Sequence, residues 1–410
     1  MSTELECART TRPKGRSAAA IDHDLHGLIG VRLIDAHPSD AAAVARQLGP
    51  TRAALDRDPD ITIRFVDRGT FNEPMRLLGA QEVGYTSDSF FILRGKHKST
   101  AKVRIPFEDI GQNLEIVCER GAKAVPLLIP IINLTLLARG ILPLHASAFV
   151  YHGAGILTTG WSKGGKTEAL LAFADKGAQY IGDEWVYLTS DGRMFGIPEP
   201  LRVWKWHLDS LPQLARSMAA KNRASLRLKS SAAAVAKIIS KLGRWLKPLR
   251  TIDRIRPLIE GQLFVDVPAE RLFPGSSAAQ GARLDRLFFV ASREQGEISL
   301  QAVDPLEVAG RMLHSLAEER SRFMPYYRMF CFAFPEATCQ LVEQASRIER
   351  ELLANVLSRI PSYEVLHPYP MHVPDLYTAM RPYCQTDRDS ATVRPSMSSF
   401  RAPVGVNGGL

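Results

Sequence analysis

The run Gly155-Ile-Leu-Thr-Thr-Gly160-Trp-Ser-Lys-Gly-Gly165-Lys166-Thr167-Glu168-Ala-Leu-Leu-Ala172 decides how this chain is read. Gly155–Thr159 is apolar and β-branched, which predicts a buried strand, and the residues after Gly165 are helix formers, which predicts a helix near Lys166–Asp175. Between them lies Gly160, Trp161, Ser162, Lys163, Gly164, Gly165, Lys166 and Thr167, a match to the phosphate-loop pattern Gly-x-x-x-x-Gly-Lys-Ser/Thr. Glycines let backbone N–H groups turn inward toward phosphate oxygens, and the free amides and dipole of the following helix favour the same anion. Lys166 would reach the β- and γ-phosphates and the Thr167 hydroxyl would ligate Mg²⁺, so Mg²⁺ and ATP are the expected cofactor and nucleotide. The competing reading is a Gly-rich turn carrying a surface lysine.

Sixteen residues beyond Thr167, Asp183-Glu184 interrupts the apolar run Tyr180-Ile181-Gly182 and Trp185-Val186-Tyr187, which predicts a strand over Gln179–Tyr187. Two adjacent acids in such a strand are costly unless they face a cation or water. An edge strand showing both acids to solvent is one reading; a metal-ligating or proton-accepting pair at the phosphate end is the other.

Outward from this centre, 410 residues at 45% hydrophobic and 23% charged is globular composition with room for two domains. Five widely spaced cysteines without a Cys-x-x-Cys pair suggest neither a disulfide framework nor a zinc ribbon, so a reducing cytoplasm is the expected compartment. Met1–Asp24 lacks the apolar core of a secretory signal. The charge-free run Ala124–Ala138, with Pro126, Pro130 and Asn133 inside it, is short of the roughly 20 residues a membrane span needs and predicts a buried helix.

The net charge of +9 is unevenly placed, since Arg202–Arg256 holds 14 Lys/Arg against Asp209 and Asp253. Within it, Val235, Ile238, Ile239 and Leu242 recur at helical spacing among Lys237, Lys241 and Arg244, a basic amphipathic helix over Ala232–Trp245. It reads as a solvated face or as a docking surface for an acidic partner; nucleic acid is not expected, because no zinc finger, RNP or helix-turn-helix pattern accompanies it. The remaining division is a loose tail over 1–25, a small α/β domain over 26–120, a phosphate-loop domain over 121–375 with the basic insertion at 202–256, and a loose tail over 376–410.

His145-Ala, the apolar strand pair, Gly160-x-Ser162, Gly165-Lys166-Thr167-Glu168-Ala169-Leu170, Lys176-Gly177-Ala178 and Ile181-Gly182-Asp183-Glu184-x-Val186 together resemble the catalytic domain of bacterial HPr kinase/phosphorylase. The resemblance covers about 45 residues well and 120–375 loosely, and that family shares its core with phosphoenolpyruvate carboxykinase. It implies an α/β phosphate-loop kinase core of that type, with a smaller N-terminal α/β domain, transferring the γ-phosphoryl of Mg-ATP to a hydroxyl of a protein, peptide or small molecule. It further implies that Asp183 accepts the hydroxyl proton with His145 beside it, that Lys166 and Thr167 hold phosphate and metal, and that Glu168 and Glu184 support the metal. A homo-oligomer is compatible with it. Lys163 stands where the family's loop carries glycine, and the basic stretch occupies the place of substrate-side elements, so a phosphoacceptor docked on 202–256 is expected rather than HPr itself. The alternative is a nucleotide-binding regulatory or assembly module with little transfer.

Overall fold

A computed structural model describes residues 20–50, 54–93, 101–197, 199–218, 220, 222–231, 263–276 and 281–385. The basic helix expected over Ala232–Trp245 lies outside them.

The chain is mixed α/β. Its N-terminal part forms an eight-stranded sheet, in spatial order Ile21–Leu25, Ile29–Ile34, Ile61–Val66, Leu114–Glu119, Val103–Arg104, Phe90–Ile92, Val83–Tyr85 and Arg76–Leu78. The expected tail over 1–25 is corrected here, because Ile21–Leu25 pairs antiparallel with Ile29–Ile34. Its alternation was masked by Asp22 and Asp24, whose charges are met by Arg32 at 2.8 Å and Arg57 at 3.2 Å.

The helix Leu128–Ala138 leads out of this sheet into two further ones. A four-stranded antiparallel sheet runs Ala282–Arg283, Arg193–Gly196, Trp185–Leu188, Leu142–His145. A six-stranded sheet runs Gln179–Gly182, Ser147–Tyr151, Ala154–Thr159, Arg286–Arg293, Ser362–Pro368, Ser299–Ala302, with the central three strands parallel. Two strands expected to be continuous are each broken between these sheets. The apolar run Leu144–Val150, which by sequence reads as one strand, becomes Leu142–His145 and Ser147–Tyr151, with the bend at Ala146; Gln179–Tyr187 becomes Gln179–Gly182 and Trp185–Leu188, with the bend at Asp183-Glu184. The bends adjoin, the Ala146 N–H donating to Glu184 O at 3.3 Å. Gly182 and Gly196 make the crossing feasible, since a Cβ on Gly182 would sit 2.7 Å from the Gly196 Cα.

The start of the basic stretch is also corrected: Leu201–Trp204 is a strand paired with Phe264–Val267, followed by the short helices Lys205–Ser210 and Pro212–Ser217. The expected tail over 376–410 begins instead with structure, the helix Val373–Met380 and the turn Arg381–Tyr383. Pro374 suits its first turn, and Val373, Leu376 and Met380 are buried against the loop helix Lys166–Ala172.

The boundary at residue 120 does not mark two cores. One hydrophobic cluster runs from the N-terminal sheet through Leu128–Ala138 and the strands Leu142–His145 and Trp185–Leu188 to the helices Pro305–Arg320, Met324–Ala333 and Gln340–Leu357. Phe107 is its pivot, with ring centroids 5.1 Å from Phe90, 5.5 Å from Phe323 and 5.3 Å from Phe330. A second cluster surrounds the loop helix. We expect Phe107→Ala to lose about 3–5 kcal/mol, as large aromatic truncations in a packed core do. Because the pivot joins residues before and after 120, urea unfolding followed by tryptophan fluorescence and by far-UV circular dichroism should remain one coincident transition. Separate transitions would show that the N-terminal sheet folds on its own.

Candidate functional site

The strand Ala154–Thr159 is buried along its whole length and delivers the chain to Gly160 at the end of the central parallel strands. At Gly160 φ is +155°, and a Cβ there would collide with the Val290 carbonyl oxygen of the neighbouring strand, so only glycine fits. The Gly164 N–H then donates to Trp161 O at 3.0 Å. Lys163 sits at φ +63°, the left-handed region that glycine normally fills, so a non-glycine residue carries the strain of the turn. Gly165 is at φ +106°, and a Cβ there would lie 2.5 Å from His367 Nε2.

His367, fully buried on Ser362–Pro368, props this turn from below, its Nε2 donating to Gly164 O at 2.8 Å. The sequence predicts a strand over Tyr363–Leu366, which stops one residue short of His367, and nothing local links that histidine to a loop two hundred residues earlier.

Lys166 opens the loop helix and is buried, its amine donating to Gly160 O at 3.2 Å and Trp161 O at 3.0 Å. Burial lowers its pKa, while the Glu184 and Asp183 charges oppose that shift. The helix start is tied to the sheet by Ser147, whose hydroxyl donates to Lys166 O at 2.8 Å.

Asp183 comes to the loop from the other side. It is 5% exposed, and the Thr167 hydroxyl donates to its carboxylate at 3.1 Å. Burial, reinforced by the Glu184 charge, raises its pKa to about 7. The chain turns sharply after it: the Trp185 N–H donates to Asp183 O at 2.7 Å, and Glu184 takes φ +63°. The two acids therefore diverge, Asp183 toward the loop and Glu184 toward His145, whose Nε2 lies 3.2 Å from Glu184 Oε2. On its other side, His145 Nδ1 is 2.5 Å from Glu319 Oε1, an ion-pair contact rather than an aligned hydrogen bond.

The metal set expected from sequence, Thr167, Glu168 and Glu184, is not gathered at one point. Glu168 accepts from His207 Nε2 at 3.0 Å, and Glu184 is drawn to His145, so Asp183 is the carboxylate against Thr167. Among the described residues no three or more His, Cys, Asp or Glu side chains group as a metal site. A hydroxyl with one adjacent carboxylate still suits Mg²⁺, which takes few protein ligands when phosphates supply others. Glu319 and His207 were not read from the sequence; they lie on helices whose places beside the loop depend on packing.

Beyond the acids opens a chamber of about 520 Å³, lined by Asp183, Glu184 and Trp185, by Glu199 and Arg202, by Glu319 and Tyr326, and by the backbone run Ala124–Pro130. No loop glycine lines it. Asp183 is thus the wall between the loop and the chamber.

The four described cysteines are free, and among the described residues no helix is long and apolar enough to cross a membrane. The chain matches no protein-family model and no curated protein.

The triad Glu184–His145–Glu319 has a definite pH signature. Burial disfavours the charged His145, but the two carboxylates outweigh it and raise its pKa above the ordinary 6.5. The His145 contact in turn holds Glu184 and Glu319 below 4.5, against the opposing effect of burial. The histidine's stabilisation is full below 6.5 and fades as pH rises through its raised value; the carboxylates' is full above 4.5 and fades as pH falls through their lowered values. In buffer without nucleotide or magnesium, Glu319→Gln should therefore lose most stability relative to wild type between about pH 5 and 6.5, with the gap closing at higher pH. A gap that does not change with pH would break the pairing.

Proposed function

We propose that this protein is an ATP-dependent kinase, resembling the HPr kinase-like group, that transfers the γ-phosphoryl of Mg-ATP to a hydroxyl acceptor. The observation that carries the reading is the place of Asp183, buried, bonded to the loop threonine and facing the chamber at once. Phosphoryl transfer needs a cradle for the donor, charge neutralisation and a positioned acceptor more than covalent chemistry.

The backbone N–H groups of Gly164, Gly165 and the helix start would hold the phosphates, and Lys166 would exchange its carbonyl partners for phosphate oxygens. Thr167 would help hold Mg²⁺, which neutralises charge on the phosphates when bound. An acceptor hydroxyl entering from the chamber gives its proton to Asp183 as its oxygen forms the new bond to the γ-phosphorus; the bond from that phosphorus to the bridging oxygen breaks and ADP leaves. A carboxyl whose pKa is raised to about 7 is suited to accept a proton near neutrality.

The hydrogen bond from Thr167 favours a second assignment within the same reaction, in which Asp183 serves the metal and Glu184, braced by His145, takes the proton. Lys166→Ala should weaken Mg-ATP binding in calorimetry and lower transfer by on the order of a hundredfold or more, as loss of a preorganised charge contact does. Unchanged ATP affinity would refute the loop assignment. Asp183→Asn and Glu184→Gln separate the two roles: the base variant abolishes transfer of γ-label at every Mg²⁺ concentration, whereas the metal-holding variant regains transfer as Mg²⁺ is raised. Tight Mg-ATP binding by wild type without transfer to any acceptor, in cell extract or purified, would favour the regulatory module.

A further inference from the structure

The chamber beside Asp183 carries more information than its position. Its volume of about 520 Å³ falls within the range of roughly 300–1,000 Å³ typical of small-molecule sites. Its charges are not balanced. Among the described residues, the carboxyl groups of Asp183, Glu184, Glu199, Asp266 and Glu319 share the lining with two cationic side chains, Arg202 and Arg322. Most of these groups already have partners: Asp183 has Thr167, Glu184 and Glu319 share His145, and Asp266 has Arg202 at 3.7 Å.

Glu199 is the exception. Its Oε1 is buried and has no hydrogen-bond partner among the described residues. Burial together with the Glu184 and Asp183 charges raises its carboxyl to about 8, so near neutrality it holds a proton that pairing with a cation would release. A buried carboxyl oxygen left without a partner is destabilising unless something supplies one. Trp185 and Tyr326 line the same space, and aromatic faces attract cations. An anionic acceptor would meet five carboxyl groups and, among the described residues, two arginines, an imbalance that selects against it.

We propose that this chamber takes a small alcohol bearing an ammonium group, with Glu199 as the partner of that ammonium and the hydroxyl presented to Asp183. The inference rests on the kinase reading for its hydroxyl and on the chamber alone for its cation. It differs from the expectation of an acidic partner on the basic stretch, most of which lies outside the described residues.

The test uses the full-length protein and three probes of similar size: ethanolamine, ethylene glycol and glycolate. Binding is followed by tryptophan fluorescence and calorimetry with and without Mg-ATP, and transfer by label from γ-labelled ATP. Glu199→Gln is compared with Asp191→Asn, an acid in an exposed turn. We expect ethanolamine to bind in preference to the other two, and Glu199→Gln to weaken it by about tenfold or more while Asp191→Asn leaves it unchanged. Ethanolamine binding without label would keep the cationic site and overturn the kinase. Label entering ethylene glycol or glycolate as readily as ethanolamine would keep the kinase and overturn the cationic site. Ethanolamine that neither binds nor is labelled, or that binds equally well to Glu199→Gln, overturns the inference.

Discussion

A lysine and a carboxylic acid buried beside each other at the end of an apolar strand must be compensated locally, and the architecture around residues 145–185 is organised by that requirement. Lys166 finds the carbonyls of its own loop, and Asp183 finds the threonine that follows the lysine. The second pairing goes with the break in Gln179–Leu188, because successive side chains of a straight strand point to opposite faces and the two acids here part to different partners. The chain breaks at Asp183-Glu184 and passes from one sheet to another, with Ala146 bending beside it. The break divides the two acids between two environments, one against the loop and one against His145.

The rest of the molecule holds that bend in place. Gly182 and Gly196 allow two sheets to approach more closely than side chains would permit. Gln340–Leu357 packs against Pro305–Arg320, whose last turn supplies Glu319 to His145. The N-terminal sheet belongs to the same arrangement: through Phe107 it packs on Phe323 and Phe330, just beyond the helix that carries Glu319, and the segment Ala124–Pro130 leaving it forms one wall of the chamber. A domain with no chemistry of its own legible in sequence thus shapes the space into which an acceptor would come.

The turn of the loop is stabilised from outside as well as from within. Lys163 occupies a left-handed conformation that costs about 1 kcal/mol for a non-glycine residue, and His367 offsets this by hydrogen bonding the adjacent Gly164 carbonyl. The contact also ties the loop to the central strand Ser362–Pro368, whose following helix, Val373–Met380, covers the loop helix.

Local pattern was enough for the strand–loop–helix unit, for a buried helix within Ala124–Ala138 and for Asp183-Glu184 as acids out of keeping with their apolar surroundings; His145 entered only through the family resemblance. Those signals are local because strand alternation, helical periodicity and glycine punctuation act over a few residues. The strand ends were misplaced at Ile21–Leu25 and the helix at Val373–Met380, where paired charges or a proline start disguised the pattern. His367, Glu319, His207 and Glu199 were invisible to it, since each acquires its role from a partner far away in the chain. The sequence by itself determined that a glycine-rich turn would follow a buried strand and that two acids would interrupt an apolar run sixteen residues on. Only the tertiary structure decided which acid meets the loop, which meets the histidine and which carboxyl is left without a partner, because a sheet-to-sheet crossing is set by the packing of distant segments.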